Sequence, residues 1–145
     1  MSDWLVPYIT FAGNCEAAVK FYQEVLGGEA SILRYGDAPP NPAFPVPDNA
    51  KNLVLHAELR KNGHIIRFSD TLAQGSCTQG NNISFTLEFD TKEETQAAFA
   101  ALSKGGKVDI DLQATFFSPL YGKCTDKFGV MWQLVCRPAT ETTKE

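Results

Sequence analysis

Two ionisable side chains, His56 and Glu58, stand two positions apart in a segment that alternates polar and apolar residues. On a β-strand, residues i and i+2 share one face and lie about 7 Å apart along the backbone. A histidine changes charge near neutral pH and a carboxylate accepts protons, so the pair suits general acid and base catalysis. The same spacing also fits a buried hydrogen-bonded pair that only fixes the sheet, and both interpretations stay open.

Further polar side chains share this face of the predicted strands, opposite the apolar face. They are the candidate ligand-binding residues Tyr8, Arg67, Ser84, Glu88 and Gln133. A guanidinium binds carboxylate or phosphate through a bidentate fork, so Arg67 is a candidate anion clamp. An ion pair with Glu58 or Glu88 would satisfy the same guanidinium without a ligand. If the sheets curve toward each other, all these residues line one cavity for a small molecule.

An internal repeat determines which elements position these side chains. At an offset of 78, the residues Phe11, Glu16, Phe21, Gly27 and Gly28 recur as Phe89, Glu94, Phe99, Gly105 and Gly106. Each copy reads as a strand, a helix and three strands, and neither is long enough to bury its apolar faces alone. We therefore predict an α+β fold in a single domain over residues 1–145, built from two βαβββ modules with curved mixed sheets around a cavity. Module one covers about residues 4–70, a linker 71–81, module two about 82–136 and a polar tail 137–145.

Alternation of apolar and polar residues predicts the strands of both modules at residues 5–11, 29–35, 52–60, 64–69, 82–89, 107–112 and 130–135, with one more before the last. The helices cover the apolar sides of these strands, on the outer faces of the sheets. Leu5 and Ile83 are placed on the apolar sides of their strands. In the strand at 52–60, the apolar side is assigned to Leu53, Leu55, Ala57 and Leu59, with Val54 on the polar side.

The ends of the helices and strands carry their own signals. Asn14 is predicted to cap the first helix, and Thr91 forms a capping box with Glu94 at the second. The glycine pairs at 27–28 and 105–106 end the two helices. An Asn-Gly pair at 62–63 predicts a tight hairpin, and Asp126 with Gly129 predicts a type I turn before the last strand. Residues 37–50 contain five prolines and form either a lid over a binding site or a rigid surface loop.

The composition limits the class of protein. The chain has 145 residues, 43% apolar and 21% charged, which is the balance of a globular domain. A formal charge of −4 offers no basic stripe for phosphates, so no nucleic-acid partner is expected. The longest apolar run, residues 97–102, is far too short to span a bilayer, and we expect a cytoplasmic protein without a membrane partner. The scattered cysteines Cys15, Cys77, Cys124 and Cys136 are expected to be free, mostly buried thiols.

Several of these motifs, taken in order, resemble one family. They are Gly13-Asn-Cys-Glu-Ala17, Phe21-Tyr22, Gly27-Gly28, His56-Ala-Glu-Leu59, Phe68-Ser-Asp70 and Asp126-Lys-Phe-Gly-Val-Met-Trp132. The combination resembles the PhnB-like branch of the vicinal oxygen chelate superfamily, which includes glyoxalases and bleomycin-resistance proteins. The resemblance covers nearly the whole chain. It implies paired βαβββ modules, two curved sheets facing a cavity, and a homodimer.

The resemblance also indicates where a metal would bind. The superfamily's metal enzymes place His, Glu or Gln ligands on the first and last strands of each module. The matching positions here are Val6 or Tyr8, Arg67 or Phe68, Asn82 or Ser84, and Gln133. Only Gln133 is an ordinary ligand of that family, and Arg67 would repel a cation. No cofactor and no metal ligands are therefore predicted, with a divalent metal as the alternative.

Two functions follow from these residues. In the first, the protein is a small-molecule enzyme of unknown substrate, for example a lyase or isomerase, in which His56 and Glu58 transfer protons and Arg67 and Gln133 orient the ligand. In the second, the cavity sequesters a compound without catalysis, as implied by resemblance to the bleomycin-resistance type. A methyltransferase is not predicted, because the sequence lacks the glycine-rich turn after a first parallel strand that holds a methyl donor.

Overall fold

The computed structural model describes residues 4–43, 45–72 and 77–139. The chain divides into two compact units, Met1–Thr78 and Gln79–Glu145, and the division falls inside the predicted linker. Linker residues 73–76 and tail residues 140–145 lie outside the described residues. The single domain over the whole chain stays a prediction.

The first unit contains one sheet and one α-helix. Its elements are β1 (Tyr8–Phe11), α1 (Cys15–Leu26), β2 (Glu29–Arg34), β3 (Val54–Lys61) and β4 (His64–Asp70), with short 3-10 turns at Tyr35–Asp37 and Asp48–Ala50. The strand order is β1-β4-β3-β2. β1 pairs in parallel with β4, and the other pairs are antiparallel.

The second unit repeats this arrangement. Its elements are β5 (Phe85–Phe89), α2 (Lys92–Ser103), β6 (Lys107–Gln113), β7 (Tyr121–Thr125) and β8 (Met131–Cys136). The strand order is β5-β8-β7-β6, again with one parallel pair, β5 and β8. Two similar modules, each a helix and a four-stranded mixed sheet, confirm the predicted α+β class.

Close approach of two backbone segments explains why both modules have a glycine at the equivalent positions Gly28 and Gly106. A Cβ atom on Gly28 would overlap the carbonyl oxygen of Arg60, and one on Gly106 would overlap that of Thr125. Each glycine follows the helix of its module and lets the next strand begin directly beside a neighbouring strand.

Each helix packs against its own sheet and forms the core of its unit. In the first unit, α1 buries Cys15, Ala18, Val19 and Tyr22, and the Tyr22 ring stacks on Phe68 with centroids 5.8 Å apart. In the second unit, α2 buries Thr95, Ala98, Phe99 and Leu102, and the largest buried side chain is Trp132. Neither helix is long and apolar enough to cross a bilayer, within the part of the chain that the structure describes.

The two helices begin in different ways. Thr91 caps α2 as predicted, because its side chain accepts a hydrogen bond from the Glu94 amide at 3.1 Å. The predicted side-chain cap by Asn14 is wrong, although Asn14 does stand at the first position. Here the buried carboxylate of Asp70 accepts hydrogen bonds from the amides of Gly13 and Cys15, at 2.9 and 3.0 Å. A tertiary acceptor has replaced the local one at this helix end.

Both predicted tight turns are confirmed. Asn62 and Gly63 have φ angles of 53° and 82°, as a two-residue hairpin requires. At the last turn, the Gly129 amide donates to the Asp126 carbonyl at 2.9 Å, and Gly129 has a φ of 89°.

Two predicted strands begin later than expected, so the placement of Leu5 and Ile83 in the core is wrong. Leu5 is 70% exposed and Ile83 is 69% exposed. β1 starts after Pro7, which has no amide to donate to a ladder. β5 starts at Phe85, whose parallel partner is Trp132, and continuing this register places residues 82 and 83 opposite turn residues 129 and 130, before β8 begins.

A β-bulge changes the predicted faces of β3. Leu33 pairs with His56 and Arg34 pairs with Val54, which leaves Leu55 as the extra residue. Val54, predicted on the polar side, is fully buried, while Leu55 is only part-buried. The extra residue shifts the alternation by one position, so the assignment is right from His56 onward and wrong before it.

Candidate functional site

In the first unit, four of the predicted site residues form one connected cluster. Tyr8 lies on β1, Arg67 is its register partner on β4, and Glu58 on β3 is in turn the register partner of Arg67. His56 lies two residues before Glu58 on the same face. Residues on three adjacent strands thus bring their side chains together, and we call Tyr8, His56, Glu58 and Arg67 the first-unit cluster.

Hydrogen bonds link three members of the cluster in series. The Tyr8 hydroxyl lies 3.3 Å from Nδ1 of His56, and Nε2 of His56 lies 3.0 Å from Oε2 of Glu58. A neutral imidazole has one donor and one acceptor nitrogen, and a carboxylate only accepts. The partners therefore assign the proton to Nε2, which donates to Glu58, and leave Nδ1 to accept from Tyr8.

Glu58 is the most buried side chain of the first-unit cluster, with 17% of its surface exposed. The hydrogen bond from His56 lowers the pKa of the Glu58 carboxyl, partial burial opposes this shift, and the hydrogen bond from Arg60 adds to it. Arg60 donates to Oε1 of Glu58 at 2.8 Å. Glu58 therefore stays ionised and orients His56, as a carboxylate does in a hydrolase triad.

Exposure of the cluster increases toward Tyr8. The His56 side chain is 36% exposed, and Tyr8 is 50% exposed. Solvent therefore reaches both the phenol and the imidazole, and the phenol is the more exposed of the two. A hydroxyl, an imidazole and a carboxylate in series are groups that can pass a proton, and we refer to this series as the candidate proton relay, with the Tyr8 hydroxyl as its entrance.

Arg67 forms an ion pair with Glu58, one of the two partners that the sequence analysis offers for it. Its Nε lies 3.3 Å from Oε2 of Glu58, close enough for an ion pair. The same Nε is buried and makes no hydrogen bond of acceptable geometry. Glu88, the other partner considered, forms an ion pair with Arg137 at 3.2 Å and is half-exposed.

In the second unit, Ser84 and Gln133 are brought together. Nε2 of Gln133 donates to the Ser84 hydroxyl at 2.8 Å, and Oε1 of Gln133 accepts from the Tyr121 hydroxyl at 2.7 Å. This second-unit cluster of Ser84, Tyr121 and Gln133 is neutral. A single cavity shared by all seven predicted site residues stays a prediction.

Two contributors were absent from the predicted site. Arg60 shares the face of His56 and Glu58 by simple alternation, so its position in the sequence carried the signal. Tyr121 lies on the strand before the last turn, and its position relative to Gln133 follows only from the register of β7 and β8. No local sequence pattern specifies the hydrogen bond between these two side chains.

A divalent metal does not fit the side chains of either cluster. No group of three or more His, Cys, Asp or Glu side chains that could hold a metal ion occurs within residues 4–43, 45–72 and 77–139. In the first-unit cluster, the oxygens of Glu58 face two guanidinium groups, which repel a cation. In the second-unit cluster, the donors are hydroxyl and amide groups without charge, whereas such ions bind best to imidazole and carboxylate ligands.

Comparison with known proteins places the chain in a family. Residues 3–135 match the family described as 3-demethylubiquinone-9 3-methyltransferase. The chain belongs to this family. Protein YjdN of Escherichia coli K12 is 34% identical over 143 residues, covering 90% of this chain and 92% of YjdN.

Solved structures of other proteins share the fold. A putative 3-demethylubiquinone-9 3-methyltransferase, PhnB protein, from Bacillus cereus is 26% identical with a TM-score of 0.74, covering 92% of this chain and 99% of that one. A glyoxalase/bleomycin resistance protein/dioxygenase family enzyme from Burkholderia phytofirmans is 19% identical with a TM-score of 0.63, covering 94% and 100%. The resemblance to PhnB-like proteins is confirmed, and the likeness to the glyoxalase/bleomycin resistance protein shows a shared fold.

The activity in the family's description does not come with membership. The loop between β1 and α1 contains a single glycine, Gly13, and its amide donates to the buried carboxylate of Asp70. That loop therefore presents a capped helix end in place of the glycine-rich turn of methyl-donor enzymes. Family membership supports a glyoxalase-like or PhnB-like architecture and leaves the reaction to be argued from the site.

Proposed function

We propose that the protein is a small-molecule enzyme of the glyoxalase superfamily that acts by proton transfer. The observation that carries this proposal is the hydrogen-bonded series from the exposed Tyr8 hydroxyl through His56 to the enclosed carboxylate of Glu58. A structural pair that only fixed the sheet would have no need of a half-exposed phenol on the outer nitrogen of the imidazole. The catalytic residues in this proposal are His56 and Tyr8, with Glu58 as the positioning residue.

The proposed step balances without a cofactor. The phenol oxygen of Tyr8 takes a proton from the ligand while the phenol's own proton passes to Nδ1 of His56. The imidazolium that forms is stabilised by Glu58, as in the imidazolium of a catalytic triad. Return of the proton along the same path to a different atom of the ligand gives an isomer, and loss of a leaving group from the ligand anion gives a lyase reaction.

The test is hydrogen exchange in D₂O. The protein is incubated with a panel of small 2-oxo and 2-hydroxy acids, and loss of the C–H signals is followed by ¹H NMR. We expect exchange with at least one compound, and a loss of about 10²- to 10⁴-fold in the double variant His56→Ala, Glu58→Ala, the usual contribution of acid–base catalysis. The matched control is His64→Ala, which removes the other histidine, exposed at the β3–β4 hairpin. A double variant that exchanges protons as fast as the parent would disprove the acid–base role.

A second candidate function is sequestration of an apolar compound. It is supported by a groove of about 790 Å³ in the first unit, whose lining residues are largely proline and other apolar side chains of the 37–50 loop and its neighbours. Tyr35, Val46, Leu55 and Leu72 contribute to it. A binding protein of this kind would form a stoichiometric complex with a fluorescent apolar probe and leave every compound of the exchange panel unchanged. Residue 44 of this loop lies outside the described residues.

We also propose a cytoplasmic location and a homodimer. The four cysteines are free, three of them buried, which supports a reducing compartment. The homodimer is supported by the superfamily resemblance alone. Sedimentation equilibrium tests it directly, because a dimer has twice the 15.9 kDa mass of the chain.

A further inference from the structure

The guanidinium of Arg67 is under-satisfied within the first-unit cluster. Both oxygens of Glu58 already accept well-aligned hydrogen bonds, Oε1 from Arg60 at 2.8 Å and Oε2 from His56 at 3.0 Å. Arg67 approaches the shared Oε2 at 3.3 Å without acceptable hydrogen-bond geometry. A guanidinium carries five N–H donors in a planar fork, so most of the hydrogen-bonding capacity of Arg67 is not used by Glu58.

The charges of the cluster point the same way. Two guanidinium groups, Arg60 and Arg67, face one carboxylate, Glu58, which leaves one positive charge in excess. Arg60 is 63% exposed and is solvated by water, whereas Arg67 is 41% exposed with its Nε buried. The excess charge is therefore least compensated at Arg67, and a partly enclosed cation attracts an anion more strongly than an exposed one.

The position of Arg67 relates this charge to the proton relay. Tyr8 and Arg67 are register partners on the parallel strands β1 and β4, so their side chains leave the sheet next to each other on one face. An anion held by the free terminal nitrogens of Arg67 lies beside the hydroxyl at the entrance of the relay. The atom of the ligand bonded to the anionic group is then the one within reach of Tyr8.

We infer that the ligand of this site is a small organic oxyanion, a carboxylate or a phosphate ester, whose oxygens bind the terminal nitrogens of Arg67. This inference rests on the proposed function and deepens it by naming the substrate class. Two oxygens of a planar or tetrahedral anion match the guanidinium fork, which a single neutral carbonyl does not. The proton transferred by Tyr8 and His56 is then on the atom adjacent to the anionic group.

The test measures binding without turnover. The Nε–Hε signal of Arg67 is followed in ¹H–¹⁵N spectra during titration with oxalate, inorganic phosphate and the neutral analogue oxamide, at constant ionic strength. We expect a saturable shift with oxalate or phosphate and none with oxamide. Saturation by oxalate alone assigns a carboxylate, and saturation by phosphate assigns a phosphate ester.

Variants separate Arg67 from its neighbours. Arg67→Gln should weaken the anion's affinity by about 10- to 100-fold, the size of a charge-assisted hydrogen bond. Arg67→Lys keeps the charge but lacks the fork, so it should bind with intermediate affinity. The matched control Arg34→Gln removes a guanidinium of the first unit that pairs with Glu16 at 2.8 Å, outside the cluster, and should stay within about threefold of the parent.

Each outcome bears on the inference. Absence of a saturable shift with both anions in the parent protein overturns it, as does an Arg67→Gln variant that binds as the parent does. The parent titration decides the question even if Arg67→Gln fails to fold. Failure of the proposed function gives a different result. In that case the parent protein exchanges no protons with any compound, yet the parent and His56→Gln both still bind the anion. The protein would then bind an anion without being an enzyme.

Discussion

Replacement of Asp126 by asparagine should destabilise the second unit by about 2–4 kcal/mol. Oδ1 of the buried carboxylate accepts hydrogen bonds from the amides of Phe128 and Val130, at 2.8 and 3.1 Å, and Oδ2 accepts one from Nε1 of Trp132 at 2.8 Å. An asparagine amide offers one oxygen and one NH₂ group, so at least one of these donors faces another donor. A buried donor left without its partner costs about 1–3 kcal/mol, and the loss of charge assistance in the remaining bonds adds about 1 kcal/mol.

The assay is urea unfolding followed by tryptophan fluorescence. Trp132 is 1% exposed and reports on the second unit, whereas Trp4 is 94% exposed and changes little. The matched control is Asp111→Asn, which makes the same chemical change at an exposed position and should alter the free energy of unfolding by less than about 0.5 kcal/mol. If Asp126→Asn costs no more than the control, the carboxylate does not stabilise the turn and the reasoning from unpaired donors fails.

Three further results are expected. Thr91→Ala should lower the free energy of unfolding by about 1 kcal/mol because it removes a side-chain cap. Asn14→Ala should change this free energy by less than about 0.5 kcal/mol because the Asn14 side chain makes no capping hydrogen bond. Urea unfolding of both variants measures the difference, and equal losses would contradict the prediction. The folded-state pKa of Glu58 is lowered, so its stabilisation is complete above the ordinary glutamate pKa of about 4.3 and disappears as the pH falls through the folded value; Glu58→Gln should therefore lose less stability than the parent between pH 7 and pH 3. Iodoacetamide at pH 8 should modify the part-exposed Cys77 first and leave Cys15 unmodified, because burial raises the pKa of the Cys15 thiol to about 12; mass spectrometry of the digest shows which thiol reacted, and early labelling of Cys15 would show that α1 opens readily.

The modules and their helices could be predicted from sequence because their signals are local or repeated. The offset of 78 gives the module boundaries, the glycine pairs give the helix ends, and Asn62-Gly63 gives the first hairpin. The failures lie where a partner strand decides. The bulge at Leu55 depends on how β2 pairs with β3, and the late start of β5 depends on where β8 begins. Alternation in one strand contains no information about the register of its neighbour.

The candidate site divides in the same way. The shared face of His56 and Glu58 follows from their spacing, so the pair could be found from sequence alone. The bond between Tyr8 and His56 requires β1, β4 and β3 to lie side by side in a particular register, which only the structure supplies. The structure adds a hydrogen bond between the Tyr8 hydroxyl and the imidazole, and the predicted ligand contact of Tyr8 stays a prediction. Asp70, which anchors the start of α1, gave no sequence signal for that contact because its partners lie more than 50 residues away.

The registers also show how the two modules differ at equivalent positions. Tyr8 and Arg67 are paired in the first sheet as Thr86 and Gln133 are in the second, and Glu58 pairs with Arg67 as Lys123 pairs with Gln133.

Two residues before Glu58 stands His56, and two before Lys123 stands Tyr121. The equivalent positions therefore hold Tyr, His, Glu and Arg in one module and Thr, Tyr, Lys and Gln in the other. Of the eight, only histidine changes charge near neutral pH. Each module has a buried aspartate that accepts hydrogen bonds from backbone amides, but the two occupy different places, Asp70 at the end of β4 and Asp126 in the turn before β8. The proposed exchange catalysis should accordingly respond to substitutions at His56 and not at Tyr121.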